Sequence, residues 1–172
     1  MSVKLRPATP EDIPVLQRWD SQPHVAAATG SDAPPDWAED IGLTGPAFQT
    51  LIGEQGGRPV GVVQIIDPAG EPTHYWGDCE RNLRAIDIWI GEPDCLGQGL
   101  GTQMMKQAIE RCFAAPEVTA ILIDPLETNT DAQRFYRRLG FEVVGPRRFG
   151  DDDCTVMRLT RAGWARLALS AQ

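Results

Sequence analysis

The chain has no apolar run longer than a few residues, far short of the roughly 20 that a membrane-spanning helix needs. Its first segment, MSVKLRPATPEDIP, carries two basic residues but no apolar stretch of the kind a secretory signal requires. A cytoplasmic protein with no membrane partner is expected. Cysteine is sparse: Cys79, Cys95, Cys112 and Cys154 lie far apart, with no CxxC pair and no histidine at zinc-ligand spacing. They read as ordinary thiols, and no metal site is expected. Basic residues are outnumbered, 16 Lys and Arg against 24 Asp and Glu, for a net charge of −8. A nucleic-acid partner needs a basic face, so none is expected. A polycationic substrate suits this charge, and so does plain solubility. Repeats and low-complexity tracts are missing as well.

What is present fits one globular domain spanning residues 1–172, with 42% hydrophobic and 23% charged residues. Val3 to Arg6 reads as a strand. Thr9-Pro10-Glu11-Asp12 reads as a helix start, with Ile13, Leu16 and Trp19 as its apolar stripe and an end near Ser21-Gln22-Pro23. Residues 26–46 read as a long loop with one short helix near Trp37, of the kind that often binds something. Phe48 to Gly53 and Pro59 to Asp67 form a hairpin, and Leu83 to Gly91 a further strand. A helix over Thr102 to Phe113, a strand over Val118 to Ile123 and a helix over Thr130 to Leu139 follow, the last stopped by Gly140. Phe141 to Val144 and Cys154 to Leu159 are the last strands, and Arg161 to Leu169 a final helix. This order predicts a mixed α/β (α+β) sheet flanked by helices.

Leu96-Gly97-Gln98-Gly99-Leu100-Gly101-Thr102 puts three glycines in five residues directly before an amphipathic helix. Backbone N–H groups at a helix start lack partners and carry partial positive charge, and glycine lets them approach a phosphate. A dinucleotide fold would place its glycines as GxGxxG after the first strand, and a Walker loop would follow the last glycine with lysine. Neither pattern is here.

With Asn129-x-x-Ala132-x-x-x-Tyr136 some thirty residues on, this turn resembles the acetyl-CoA site of the GNAT family. The resemblance extends to the aminoglycoside 6′-N-acetyltransferases. It is carried by Trp19-x-x-x-Pro23-His24-Val25, by Gly61 to Pro68 with His74-Tyr75-Trp76, by Ala85-Ile86-Asp87, by Leu96 to Thr102, and by Pro116-Glu117-Val118 with Ile123-Asp124-Pro125. That family often carries paired tryptophans just after the Pro-His-Val segment, where this chain has Ala26-Ala27-Ala28.

The resemblance implies a mostly antiparallel central sheet splayed at its middle, and acetyl-CoA as cofactor. It implies that Leu96, Gly97, Gln98, Gly99, Leu100, Gly101 and Thr102 hold the pyrophosphate. Ile88, Ile90, Asn129, Ala132 and Tyr136 would meet the pantetheine arm and thioester. The partner it implies is a polycationic aminoglycoside, bound by a monomer or homodimer. A related enzyme on another amine (siderophore precursor, polyamine or lysine) and a silent acyl-CoA-binding module are the rival readings.

Acetyl transfer to an amine needs a proton removed, an oxyanion stabilised and a thiolate released. Asp87 is a carboxylate inside the apolar run Ile86 to Ile90, where burial is costly without a partner or a task. It is a candidate base or ammonium anchor. The alternatives are an edge-strand acid facing water and an ion pair with Arg81 or Arg84. Tyr136 is the candidate general acid, since a phenol can protonate a departing thiolate. A backbone N–H within Ile88–Ile90 is the candidate oxyanion donor. Trp37, Trp89, Asp124 and Asp153, with Asp87, are the candidate substrate contacts. Trp19 reads as core, the acids of 151–153 also read as a hairpin tip, and Glu92 is a weaker alternative base.

Overall fold

The computed structural model describes residues 2–172. Seven strands form one sheet: β1 (Val3–Pro7), β2 (Phe48–Gln55), β3 (Arg58–Ile66), β4 (Leu83–Ile90), β5 (Ala120–Ile123), β6 (Glu142–Phe149) and β7 (Asp152–Thr160). Their order is β1-β2-β3-β4-β5-β7-β6, and every pairing is antiparallel except β4 with β5. The helices are α1 (Ile13–Asp20), α2 (Pro23–Thr29), α3 (Trp37–Gly42), α4 (Leu100–Ala114), α5 (Thr130–Arg138) and α6 (Arg161–Ser170).

The parallel pair is short. Only Leu83, Arg84 and Ala85 meet Ala120, Ile121 and Leu122, after which β4 and β5 part. This is the splay that the family resemblance implies.

Side-chain alternation then sorts the core. Ile86 on one face of β4 packs with α4, which buries Met104, Met105, Ala108, Ile109 and Cys112. Burying each larger side chain of this set contributes roughly 1.5–3 kcal/mol. Leu83 and Ala85 on the other face join a second cluster with Trp76, Phe149, Cys154 and Val156. A third cluster holds Leu16, Trp19, Trp37, Ile52 and Val62.

The largest departures from expectation are at α2 and β6. Residues 23–29 form a helix: Pro23 opens it at its first position, where a missing N–H costs nothing, and Ala26-Ala27-Ala28 favours the helical state. β6 also runs on to Phe149, past Pro146, with a register shift between Val143 and Gly145. Pro146 is tolerated because β6 is an edge strand.

Candidate active site

The cleft of about 710 Å³ lies where β4 and β5 part, under α2, α3 and the segment that joins them. Nine carboxylates line it, and no Lys, Arg or His does. Asp20, Asp36, Glu39 and Asp40 come from the α1–α3 side, Asp32 from the α2–α3 connection, and Glu71 from the β3–β4 connection. Asp87, Asp124 and Asp152 come from β4, the end of β5 and β7.

Asp87 stands on the cleft floor, open to the cleft's own solvent and packed around by protein. It makes no ion pair among the described residues. Arg84 is buried and donates to the carbonyl of Leu83 instead. Burial pushes the Asp87 carboxyl above the usual carboxylate range, and the charges of Asp32 and Asp40 push it further. Its cross-strand neighbour is Gln64, so both side chains share one sheet face. Gln64 donates to Asp40 Oδ2 at 2.8 Å.

Asp124 follows β5 and accepts a hydrogen bond from Tyr75. Its carboxyl is raised by burial and then by the Asp87 charge, with the Tyr75 hydrogen bond opposing. The ring of Tyr136 is buried between Phe135 and Phe141, with centroids at 5.1 and 5.7 Å. Its hydroxyl has no protein partner among the described residues, and the residue lines the cleft. Burial raises its pKa, and Asp87 and Asp124 raise it further, so the phenol stays protonated. Asn129 caps α5 by accepting from the Ala132 amide at 3.1 Å, which leaves its Nδ2 to donate.

The backbone of β4 supplies further donors. The Gly91 amide donates to Val60 on the β3 side. By alternation along an antiparallel strand, Ile88 and Ile90 turn their N–H groups to the opposite side, where pairing with β5 has ended. Farther on, Gly97 (φ 71°) and Gly99 (φ 76°) are left-handed, a conformation that costs other residues about 1–2 kcal/mol. The turn they make opens α4, and the six amides from Gly97 to Thr102 have no acceptor among the described residues. Consecutive free N–H groups at a helix start fit a diphosphate, and the splayed β4 edge fits an amide-bearing arm.

The cleft thus gathers Asp87, Trp89, Asp124, Ile88, Asn129, Ala132 and Tyr136. It does not gather Trp37 or Asp153. Trp37 is buried against Leu16 and Ile52 and donates its Nε1 hydrogen to Asp20 at 2.8 Å, leaving only Trp89, 6.0 Å away by ring centroid, at the cleft. Asp153 is exposed and pairs with Arg148 at 3.1 Å, while Asp152 faces inward. Glu92 lies outside the cleft, holding Trp19 Nε1 and paired with Arg18 and Arg58. Trp19 is core, as expected. Sequence reasoning does not assign Asp20, Gln64 or Tyr75 to the site, and of the three acids at 151–153 it picks Asp153 rather than Asp152. Asp152 was within reach, because Cys154 and Val156 are apolar at alternate positions that count back to it.

A model of the Acetyltransferase (GNAT) domain matches residues 8–149, and the chain belongs to that family. It is 29% identical over 173 residues to the aminoglycoside N(6′)-acetyltransferase type 1 of Klebsiella pneumoniae, covering 96% of this chain and 86% of that protein. A kanamycin resistance protein of Rhizobium radiobacter is 34% identical over 97 residues, which is 56% of this chain and 90% of that one. Among solved structures, aminoglycoside acetyltransferase AAC(6′)-Ib in complex with coenzyme A and kanamycin is similar at a TM-score of 0.84 and 29% identity, covering 97% of this chain and 99% of that one.

Proposed function

We propose that the chain is an acetyl-CoA-dependent N-acetyltransferase acting on the 6′-amine of aminoglycosides. The observation that carries the acceptor is the cleft around Asp87, lined by nine carboxylates and no basic side chain. An anionic acceptor would be repelled there, whereas a polycation gains at every step inward. Family membership supports the acetyl donor, as do the free amides of Gly97–Thr102.

Bound acetyl-CoA would supply the acetyl group as a thioester. Asp87 anchors the acceptor's ammonium and takes its proton, a task suited to a carboxylate with a raised pKa. The N–H groups of Ile88 and Ile90 donate to the acetyl oxygen, where negative charge develops during transfer. Asn129 Nδ2 holds the pantetheine arm. Tyr136 keeps its proton until the sulfur departs and then donates it.

Thiol release from acetyl-CoA, measured with kanamycin, tobramycin, spermidine and lysine side by side, tests this reading. Release is expected with the two aminoglycosides, with the acetyl group on the 6′-nitrogen by NMR. No release with either of them overturns the acceptor assignment.

A further inference from the structure

Residues 31–40 cross the sheet face that carries Asp87, and they are fastened at both ends. At one end the Ser31 amide and hydroxyl both donate to Asp152 Oδ2 on β7, each at 2.9 Å. At the other end Asp40 Oδ2 accepts from Gln64 on β3. The strands that bear Asp87 and lead into Asp124 lie between β3 and β7 in the sheet. The segment is therefore a strap over the acceptor side of the cleft.

The two fastenings differ in kind. Asp40 is carried by α3, which is held by the buried Trp37. Ser31 is an exposed loop residue that follows Gly30. Gly30 is left-handed (φ 64°), and a Cβ there would lie 2.7 Å from Asp152 Oδ2. The positive φ favours glycine at this position, and a Cβ would push the Asp152 carboxylate aside. Asp152 also has no cationic partner among the described residues, since Arg148 pairs with Asp153 instead. It faces a cavity without one basic side chain while its carboxylate accepts from two neutral donors. An ammonium group there would bring a full positive charge to the carboxylate, which the two uncharged Ser31 donors do not.

We propose that Asp152 has two alternative partners: Ser31 when the part of the cleft beside β7 is empty, and an ammonium group of a long polycationic acceptor when it is filled. The Ser31–Asp152 fastening then selects acceptors by length. The choice of acceptor rests on the acetyltransferase reading above, and the exchange of partners at Asp152 does not.

The test compares a two-ring acceptor, neamine, with a four-ring one, neomycin. Asp152→Asn is expected to lower the neomycin-to-neamine ratio of kcat/KM at least tenfold, through the KM for neomycin. Ser31→Ala removes one competing donor and is expected to raise the same ratio a few-fold. An unchanged ratio in both variants overturns the proposal, as does an equal loss for both acceptors in Asp152→Asn. Hydrogen exchange supplies a readout that needs no turnover. Saturating neomycin is expected to speed exchange at the Ser31 amide and neamine is not; slowed or unaltered exchange with neomycin overturns the proposal. A chain that acetylates neither compound yet releases Ser31 with neomycin retains the proposal and defeats the acetyltransferase reading.

Discussion

The Tyr75 hydroxyl donates a 2.6 Å hydrogen bond to Asp124, a carboxylate whose affinity for a proton is raised by burial and by the charge of Asp87. Tyr75 is itself set by a parallel stack on Phe149, with ring centroids 4.6 Å apart. The hydrogen bond opposes the rise at Asp124 and keeps that carboxylate an acceptor beside the proposed base.

A base must be unprotonated to act, so activity is lost as pH falls through the raised range of the Asp87–Asp124 pair. The acid limb of the kcat/KM profile is expected at about pH 6, where burial and neighbouring charges place the Asp87 carboxyl. Asp124→Asn removes a like charge and is expected to move the limb to lower pH. Asp87→Asn is expected to reduce turnover at least tenfold without unfolding the chain, the latter checked by circular dichroism. A limb that keeps its position in Asp124→Asn separates the two carboxylates functionally.

The same pair works against folding. A carboxyl with a higher pKa in the folded chain than in the unfolded one makes the folded state bind more protons. Its destabilising effect is absent below the ordinary carboxylate range and grows as pH rises through the raised pKa. Asp124→Asn keeps an acceptor for Tyr75 and loses the charge. Its melting temperature at about pH 7.5 is expected to exceed that of the parent by a few degrees, with the gain gone near pH 4. A scan of melting temperature against pH for both proteins measures this.

Tyr136→Phe removes a proton donor and keeps a ring between Phe135 and Phe141. The expected effect is a fall in kcat of roughly tenfold or more, with KM for acetyl-CoA within about twofold of the parent. A matching rise in KM with kcat unchanged would assign Tyr136 to donor binding alone.

Gly99→Ala forces a side chain into left-handed backbone at the mouth of α4, and space for the Cβ is not the obstacle, since nothing lies within 4 Å. The strain is expected to shift the turn, raise KM for acetyl-CoA about tenfold and cost about 1 kcal/mol of stability. Calorimetry with coenzyme A checks the first effect, and chemical denaturation the second.

Asp87 was legible in the sequence because a lone charge in the run Ile86 to Ile90 breaks an apolar pattern. The glycine turn was legible because two of its residues need backbone that only glycine adopts freely. Asp153 was misplaced by one residue because three consecutive acids carry no phase. Only the turn at Gly150–Asp151 and the start of β7 at Asp152 decide which of them faces inward. Trp37 reads from the sequence as a substrate contact, but its indole N–H has a partner in Asp20, seventeen positions away in the chain. Helix α2 was missed because Pro23 can end one helix or begin another, and local sequence does not choose.

Three rungs of hydrogen bonding, from Leu83 to Ala85, join β4 to β5. Beyond them the protein is two half-sheets that diverge, with Asp87 on one and Asp124 on the other. In the proposed complex the donor's arm would lie along the β4 edge in place of the missing length of strand. On the proposed function the ligand would then serve as a structural member, and the separation of Asp87 from Asp124 would be set partly by a molecule that the gene does not encode.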